Sequence, residues 1–292
     1  MDEPNLSISL ELTGEQIETI AELGARTSQA LRREALTEQA EHSLHSGSHA
    51  LHILKRSQGE LVGYAQVRPT SHGSEVEFLG GMPDVEVLSF ITSQLPSMRP
   101  LSLWAHGLTL RDTPIALEGF TPARSLFRLS ATLPVADPRL PPKGIRIRSF
   151  QVGSDETNWI ALNRRAFARH PDQGGWTESD LGRRMIEPWF DPKGLLLAER
   201  DGVCVAACWT KIHDDPWGRI GEIYVIGVDP SEHGRGLGRF MTLTGLRYLA
   251  DQGLKSAMLY VESDNEAALA LYRSIGFDES WRDVKYEETS GR

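Results

Sequence analysis

Apolar positions in the second half of the chain change period in an orderly way. Residues 154–169 place Trp159, Leu162, Ala166 and Phe167 at helical spacing. Thr177-Glu178-Ser179-Asp180 has the form of a helix start, with a hydroxyl N-cap and acids in the first turn. Residues 194–198 and 203–212 are apolar, β-prone runs separated by an Asp201-Gly202 turn, and residues 220–228 form another. Phe240, Leu243, Leu246 and Leu249 recur every third residue, which predicts an amphipathic helix over 237–252 ended by Gly253. A strand over 257–261 and a short helix over 266–274, closed by Gly276, complete the series.

The first half repeats this order more loosely. Helices are predicted near 14–24 and 37–46, and strands near 50–55 and 61–68 around a Ser57-Gln58-Gly59 turn. A strand near 75–80, a helix near 84–95, a strand at 101–105 and a helix-like stretch ending at Gly119-Phe120 follow. Gly119-Phe120 matches Gly276-Phe277; Trp104 precedes Gly119 by 15 residues, and Tyr260 precedes Gly276 by 16. The pattern predicts an α/β fold (α+β, mixed sheet) present in two copies, 1–136 and 145–292. Four prolines between Leu133 and Gly144 exclude a helix or central strand there and predict a linker at 137–144. The copies differ at one place. From Glu77 to Trp104 is 27 residues, and from Glu222 to Tyr260 is 38, so the first copy is about eleven residues short where the second has a glycine-rich loop.

Composition narrows the partners. The 292 residues carry 31 Lys plus Arg against 40 Asp plus Glu, a formal net charge of −9. That balance argues against a nucleic-acid or anionic-membrane surface and leaves room for a local anion pocket. No apolar run approaches a membrane span, and the acidic Met-Asp-Glu-Pro start lacks a signal peptide's order, so the expectation is a cytoplasmic monomer. Cys204 and Cys208, four apart on one strand, would sit ~13 Å apart, too far for a disulfide. They read as small buried hydrophobes. His170 and His213 have no metal-ligand spacing with the other histidines and read as structural; no metal is expected.

The glycine-rich loop carries the chemistry. Val228-Asp229-Pro230-Ser231-Glu232-His233-Gly234-Arg235-Gly236-Leu237-Gly238-Arg239 joins a predicted strand to a predicted helix. Its glycines allow backbone N–H groups to converge on a ligand, and the helix start adds partial positive charge, which suits a pyrophosphate. Arg235 and Arg239 could neutralise phosphates. The Walker Lys-Ser/Thr is missing, and so is the spacing of a dinucleotide fingerprint.

Val228-Asp229-Pro230, His233 to Arg239, and Asn265 through Leu271-Tyr272-Arg273-Ser274-Ile275-Gly276-Phe277 resemble the GCN5-related N-acetyltransferase (GNAT) family. The resemblance implies two tandem GNAT-like domains, the first degenerate, with acetyl-CoA as co-substrate. It places the cofactor on Ile226, Gly227 and Val228, on His233, Gly234, Arg235, Gly236, Leu237, Gly238 and Arg239, and on Asn265, Glu266, Ala267, Ala268, Leu269 and Ala270. The family usually has Gln or Arg where this chain has His233. Further motifs (His170-Pro171-Asp172-Gln173-Gly174-Gly175-Trp176-Thr177, Trp189-Phe190-Asp191-Pro192, Trp209-Thr210-Lys211-Ile212-His213, Leu259 to Asn265 and Trp104-Ala105-His106-Gly107) resemble the tandem-domain mycothiol synthases. These acetylate the cysteinyl amine of a cysteinyl-glucosaminyl-inositol.

Acetyl transfer to an amine needs a proton acceptor, a polarised carbonyl and a proton for the leaving thiolate. Glu222, on the strand entering the loop, is the candidate base, and Tyr272, seven residues after Asn265, matches the family's proton donor. Backbone N–H groups near 226–228 are candidates to polarise the carbonyl. The resemblance places Asp172, Lys211, Tyr260 and Glu222, with Glu38 from the first domain, as substrate contacts; related enzymes carry Glu where this chain has Asp172. In the first domain Gly80-Gly81-Met82-Pro83-Asp84 stands where the phosphate loop would be, so one productive acetyl-CoA site is expected, in the second domain. A tandem acetyltransferase for another small amine or a protein N-terminus, and a non-catalytic acyl-CoA sensor, remain open on these residues.

Overall fold

The computed structural model describes residues 5–45, 50–109, 115–135, 140–168, 170, 173–216 and 218–289, with residues 38, 42 and 45 in backbone only. Its first part runs β1 (Asn5–Ser9), α1 (Gly14–Leu31), α2 (Glu38–His45), β2 (Leu51–Ser57), β3 (Glu60–Thr70), β4 (Gly73–Phe78), α3 (Val85–Gln94), β5 (Leu101–Leu108) and β6 (Phe120–Thr132). It continues with β7 (Arg146–Ser149), α4 (Glu156–Ala166), α5 (Glu178–Met185), β8 (Leu195–Arg200), β9 (Val203–Asp215), β10 (Gly218–Val228), α6 (Leu237–Asp251), β11 (Ser256–Glu262), α7 (Glu266–Ser274) and β12 (Asp278–Glu288). No helix among the described residues is long and apolar enough to cross a membrane.

Two compact units result: Met1–Phe127 with Ser280–Arg292, and Arg128–Glu279. In the first, β1 to β4 pair antiparallel in sequence, and β4 pairs with β5 in parallel. The last strand of the chain completes this unit. β12 pairs antiparallel with β5, and Val284 and Tyr286 are buried in its core beside Leu103 and Ala105. In the second unit β7, β8, β9 and β10 pair antiparallel in sequence and β10 pairs with β11 in parallel. Trp159, Leu162, Leu181, Leu197, Trp209 and Val225 form much of its core.

The caps follow the local chemistry. Thr13 and Thr177 each form a capping box, with Gln16 and Asp180 respectively. Cys204 and Cys208 are free and buried, and burial pushes both thiols up to about 12.

Three features depart from the sequence-based expectation. The second unit begins before residue 145, and the chain after residue 279 belongs to the first unit instead of the second. The helix-like stretch expected before Gly119 falls partly on residues 110–114, outside the described residues; 115–117 are not helical, Ile115 and Leu117 pack on the first unit's core, and Phe120 opens β6. Strands β1, β6 and β12 were not predicted. In β12 charged residues interrupt the apolar alternation, so its strand character comes from pairing with β5.

Candidate active site

Strands β10 and β11 are paired only at Gly221–Ala257 and Glu222–Met258. Beyond Glu222 they diverge, while β10 keeps its pairing with β9 as far as Val228. Alternate backbone groups of β10 past the fork therefore lose their β11 partners, which is how a sheet opens its edge to a ligand. A bulge between Ile223 and Val225 marks the same place.

The opening leads into a cavity of about 930 Å³, within the range of small-molecule sites. Ile226, Gly227 and Val228 line one side. His233, Gly234, Gly236, Leu237, Gly238 and Arg239 line its loop end, and Asn265, Ala267, Ala268, Leu271 and Tyr272 its α7 wall. Most of the expected cofactor residues are thus brought together. Arg235, Glu266, Leu269 and Ala270 lie outside the lining. The Arg235 side chain is 61% exposed and pairs with Glu232 at 3.4 Å. Ala166, Phe167, His170, Thr242, Glu262 and Asp264 also line the cavity, and sequence reasoning did not assign them there. Ala166 and Phe167 carry the helical period of a core face, so nothing in their pattern separated core from cavity wall.

The loop leaves its backbone groups uncovered. Gly234 and Gly236 have φ of +74° and +78°, and a Cβ at either would meet nothing within 4 Å. The backbone there stands next to open space, where a side chain would intrude. Gly236 is also the N-cap of α6 and supplies no side-chain hydrogen bond. The first N–H groups of α6 consequently remain available, together with the helix's partial positive charge. The loop is pinned at both sides. Asp229 accepts from Ser231 N (3.0 Å) and pairs with Arg165. Burial pushes the Asp229 carboxyl up, but the Arg165 bond and the Ser231 donors outweigh it and bring it down to about 2. Glu232, nearly buried, pairs with Arg200 at 2.7 Å. Arg239 Nη1 donates to Ser274 Oγ of α7 at 2.7 Å.

Of the two candidate catalytic groups, Tyr272 lines the cavity and Glu222 lies outside its lining, at the fork. Glu222 is 7% exposed and sits at the last position of β10 paired with β11. His213 Nε2 lies 2.7 Å from its Oε2. Tyr272, on α7, lines the cavity and packs edge-on against Phe277. Burial raises its phenol well above the ordinary tyrosine value, so it is protonated at neutral pH.

The expected acceptor contacts are placed unevenly. Lys211 stands opposite Glu222 in the β9–β10 register and is 8% exposed. Its ammonium lies over the rings of Trp189 (4.8 Å) and Tyr224 (5.7 Å). Those rings join Trp209 in an aromatic cluster, Tyr224 edge-to-face with both tryptophans and the two tryptophans tilted at 45°. Tyr260 is 42% exposed on β11, two residues beyond the fork. Asp172 and the Glu38 side chain lie outside the described residues.

The acetyltransferase (GNAT) family model matches residues 159–277, which hold all of this cavity. The chain is 42% identical over 303 residues to the mycothiol acetyltransferase of Thermomonospora curvata, covering 98% of each chain. It is 38% identical over 296 residues to that of Streptomyces coelicolor, covering 94% of this chain and 93% of the relative. Among solved structures, a GCN5-related N-acetyltransferase from Sphaerobacter thermophilus shares the fold with a TM-score of 0.68 at 21% identity, over 98% of this chain and 97% of that one. A tandem GNAT protein from the clavulanic acid biosynthesis pathway does so with a TM-score of 0.70 at 16% identity, over 99% and 100%. The fork, the uncapped glycine loop and relatives matched from end to end lead to one assignment: the chain belongs to the mycothiol acetyltransferases, within the GNAT family.

Proposed function

We propose that this acetyltransferase moves the acetyl group of acetyl-CoA to the cysteinyl amine of a cysteinyl-glucosaminyl-inositol, giving mycothiol and CoA. The observation that carries the reading is the juxtaposition of a buried carboxylate, Glu222, with the fork of a cavity whose far end is an uncapped helix start.

Acetyl-CoA fits the residues present. Gly234, Gly236 and the N–H groups of α6 offer a pyrophosphate cradle, and the β10 edge from Ile226 to Val228 offers backbone groups to an extended arm. Bound there, it supplies an activated thioester acyl group. Glu222 accepts a proton from the amine. The demand on it is modest, because an α-amine with a pKa of roughly 7.7–8.0 is partly neutral near pH 7. Tyr272 holds its proton through burial and is the donor for the departing sulfur. Lys211 and Tyr260 offer an ammonium and a phenol to the hydroxyls of the acceptor; Asp172 and Glu38 are proposed as further acceptor contacts on the family resemblance alone.

The test is mass spectrometry of products from acetyl-CoA and the cysteinyl-glucosaminyl-inositol, with titration calorimetry of acetyl-CoA. The expected product gains one acetyl group on nitrogen, and the expected stoichiometry is one site per chain. Turnover of a different amine in place of this one would overturn the acceptor. Two independent tight sites would overturn the assignment of the cofactor to the second unit alone.

A further inference from the structure

We propose that His213 is a positioning residue for the transfer: its Nε2–H holds the Glu222 carboxylate by Oε2 and leaves Oε1 to take the amine proton. The proposal rests on Glu222 being the proton acceptor.

A carboxylate this buried has lost most of its water, and hydrogen bonds or a charge take its place. Lys211 stands directly across the strand pair, yet its ammonium lies on the Trp189 and Tyr224 rings, and among the described residues no ion pair joins it to Glu222 within 4.0 Å. His213, two residues further along β9 and on the same face, supplies the bond instead, at the length of a charge-assisted contact. An ionised carboxylate only accepts hydrogen bonds, so Nε2 carries the hydrogen. Among the described residues Oε1 accepts no hydrogen bond. In the proton step the amine nitrogen loses H⁺ and Oε1 gains it, while the bond from Nε2–H to Oε2 stays in place.

The first unit uses the same cross-strand diagonal. Gln66 on β3 stands opposite Glu77 on β4, and Arg68, two residues on, pairs with Glu77 at 3.4 Å. Two independent strand pairs thus hold a buried Glu from the same diagonal position, one with a permanent cation and one with an imidazole. Among the described residues, the other charged groups that share β9 with His213 are Lys211, Asp214 and Asp215. Asp214 faces solvent with Arg219 at 3.6 Å.

The experiment compares pH profiles of kcat/KM for the acceptor in the full-length wild type, H213L, H213N, H213Q and E222Q, with thermal melts to confirm folding. In H213L the acid limb moves to higher pH, and kcat at neutral pH falls by roughly tenfold to a hundredfold, while the KM for acetyl-CoA is unchanged. H213N, whose amide stops short of Oε2, behaves like H213L and serves as its substitute should H213L not fold. H213Q, whose amide reaches as far as Nε2, restores the wild-type limb. An unshifted limb in folded H213L or H213N overturns the proposal, as does an H213Q profile no better than that of H213N. An E222Q enzyme with full activity would instead overturn the reading of Glu222 itself.

Discussion

The two units carry the same strand-to-helix crossing with opposite contents. In the second unit β10 ends at Val228 and α6 begins at Leu237, with the glycine loop between them and no side chain on the helix start. In the first, β4 ends at Phe78 and α3 begins at Val85. There the helix start is closed by the protein's own anion. Asp84 accepts from Glu86 N (3.0 Å) and Val87 N (3.2 Å) and pairs with Lys55 at 2.7 Å. Burial pushes the Asp84 carboxyl up, but those bonds outweigh it and hold it below the usual carboxylate range. The gap past the parallel pair is filled as well, since Arg33 Nη2 donates to Gly80 O (2.8 Å) and His106 O (3.1 Å). The buried glutamates differ in the same sense. Glu77 accepts from Thr37 N (2.6 Å) and Thr37 Oγ1 (2.8 Å) in addition to its Arg68 pair, so both oxygens are engaged. Among the described residues Glu222 has one oxygen held and one left. In the first unit the protein's own side chains thus occupy both the helix start and the buried glutamate that the second unit leaves open.

The sharpest way to break this comparison is to neutralise the two glutamates in turn. E222Q is expected to lower kcat by roughly 10²–10⁴-fold. E77Q is expected to leave kcat unchanged and to reduce stability by about 1–3 kcal/mol, read as a lower midpoint in a denaturant titration. Equal losses of kcat from both would mean that the units share the chemistry.

The glycines give the next contrast. At Gly236 an alanine meets no neighbour but is forced into the left-handed region, at about 1–2 kcal/mol. The KM for acetyl-CoA should therefore rise about tenfold in G236A as the cradle distorts. At Gly81 a Cβ would lie 2.8 Å from His106 Cβ and 2.9 Å from Arg33 Nη1. G81A should lower the melting temperature and leave that KM alone.

The smallest effect is expected from Asp84→Ala, which removes a helix cap worth about 0.5–2 kcal/mol. Calorimetry on this variant should still count a single acetyl-CoA site, because the segment between β4 and α3 lacks the Gly-x-Gly-x-Gly run of the second unit. A second site appearing in D84A would show that the carboxylate alone excludes the cofactor.

Much of the candidate cavity's loop was legible because its determinants are local. Gly234, Gly236 and Gly238 between an apolar strand and an amphipathic helix specify a backbone cradle with no long-range information, and Glu222 and Tyr272 sit at fixed offsets from it. Residues whose role depends on another strand were harder to read. His213 looked structural, because its bond to Glu222 exists only through the β9–β10 register. Phe167 and His170 enter the cavity from the end of α4 and the loop after it, and no period distinguishes them from core. Arg235 was expected at the phosphates, but Glu232, buried by its pair with Arg200, draws it aside.

The chain's own order of apolar periods, turns and caps determined that it would form two mixed α/β copies and that only the second would keep a glycine cradle. Such signals act over a few residues, where propensity and hydrogen bonding to near neighbours dominate. Only tertiary structure decided that β12, charged at several positions, would complete the first unit by pairing with β5 and burying Val284 and Tyr286. The same holds for the choice of His213 over Lys211 as the partner of Glu222. Both depend on which strand lies alongside which, and a strand's partner is set by long-range pairing and burial that no local window contains.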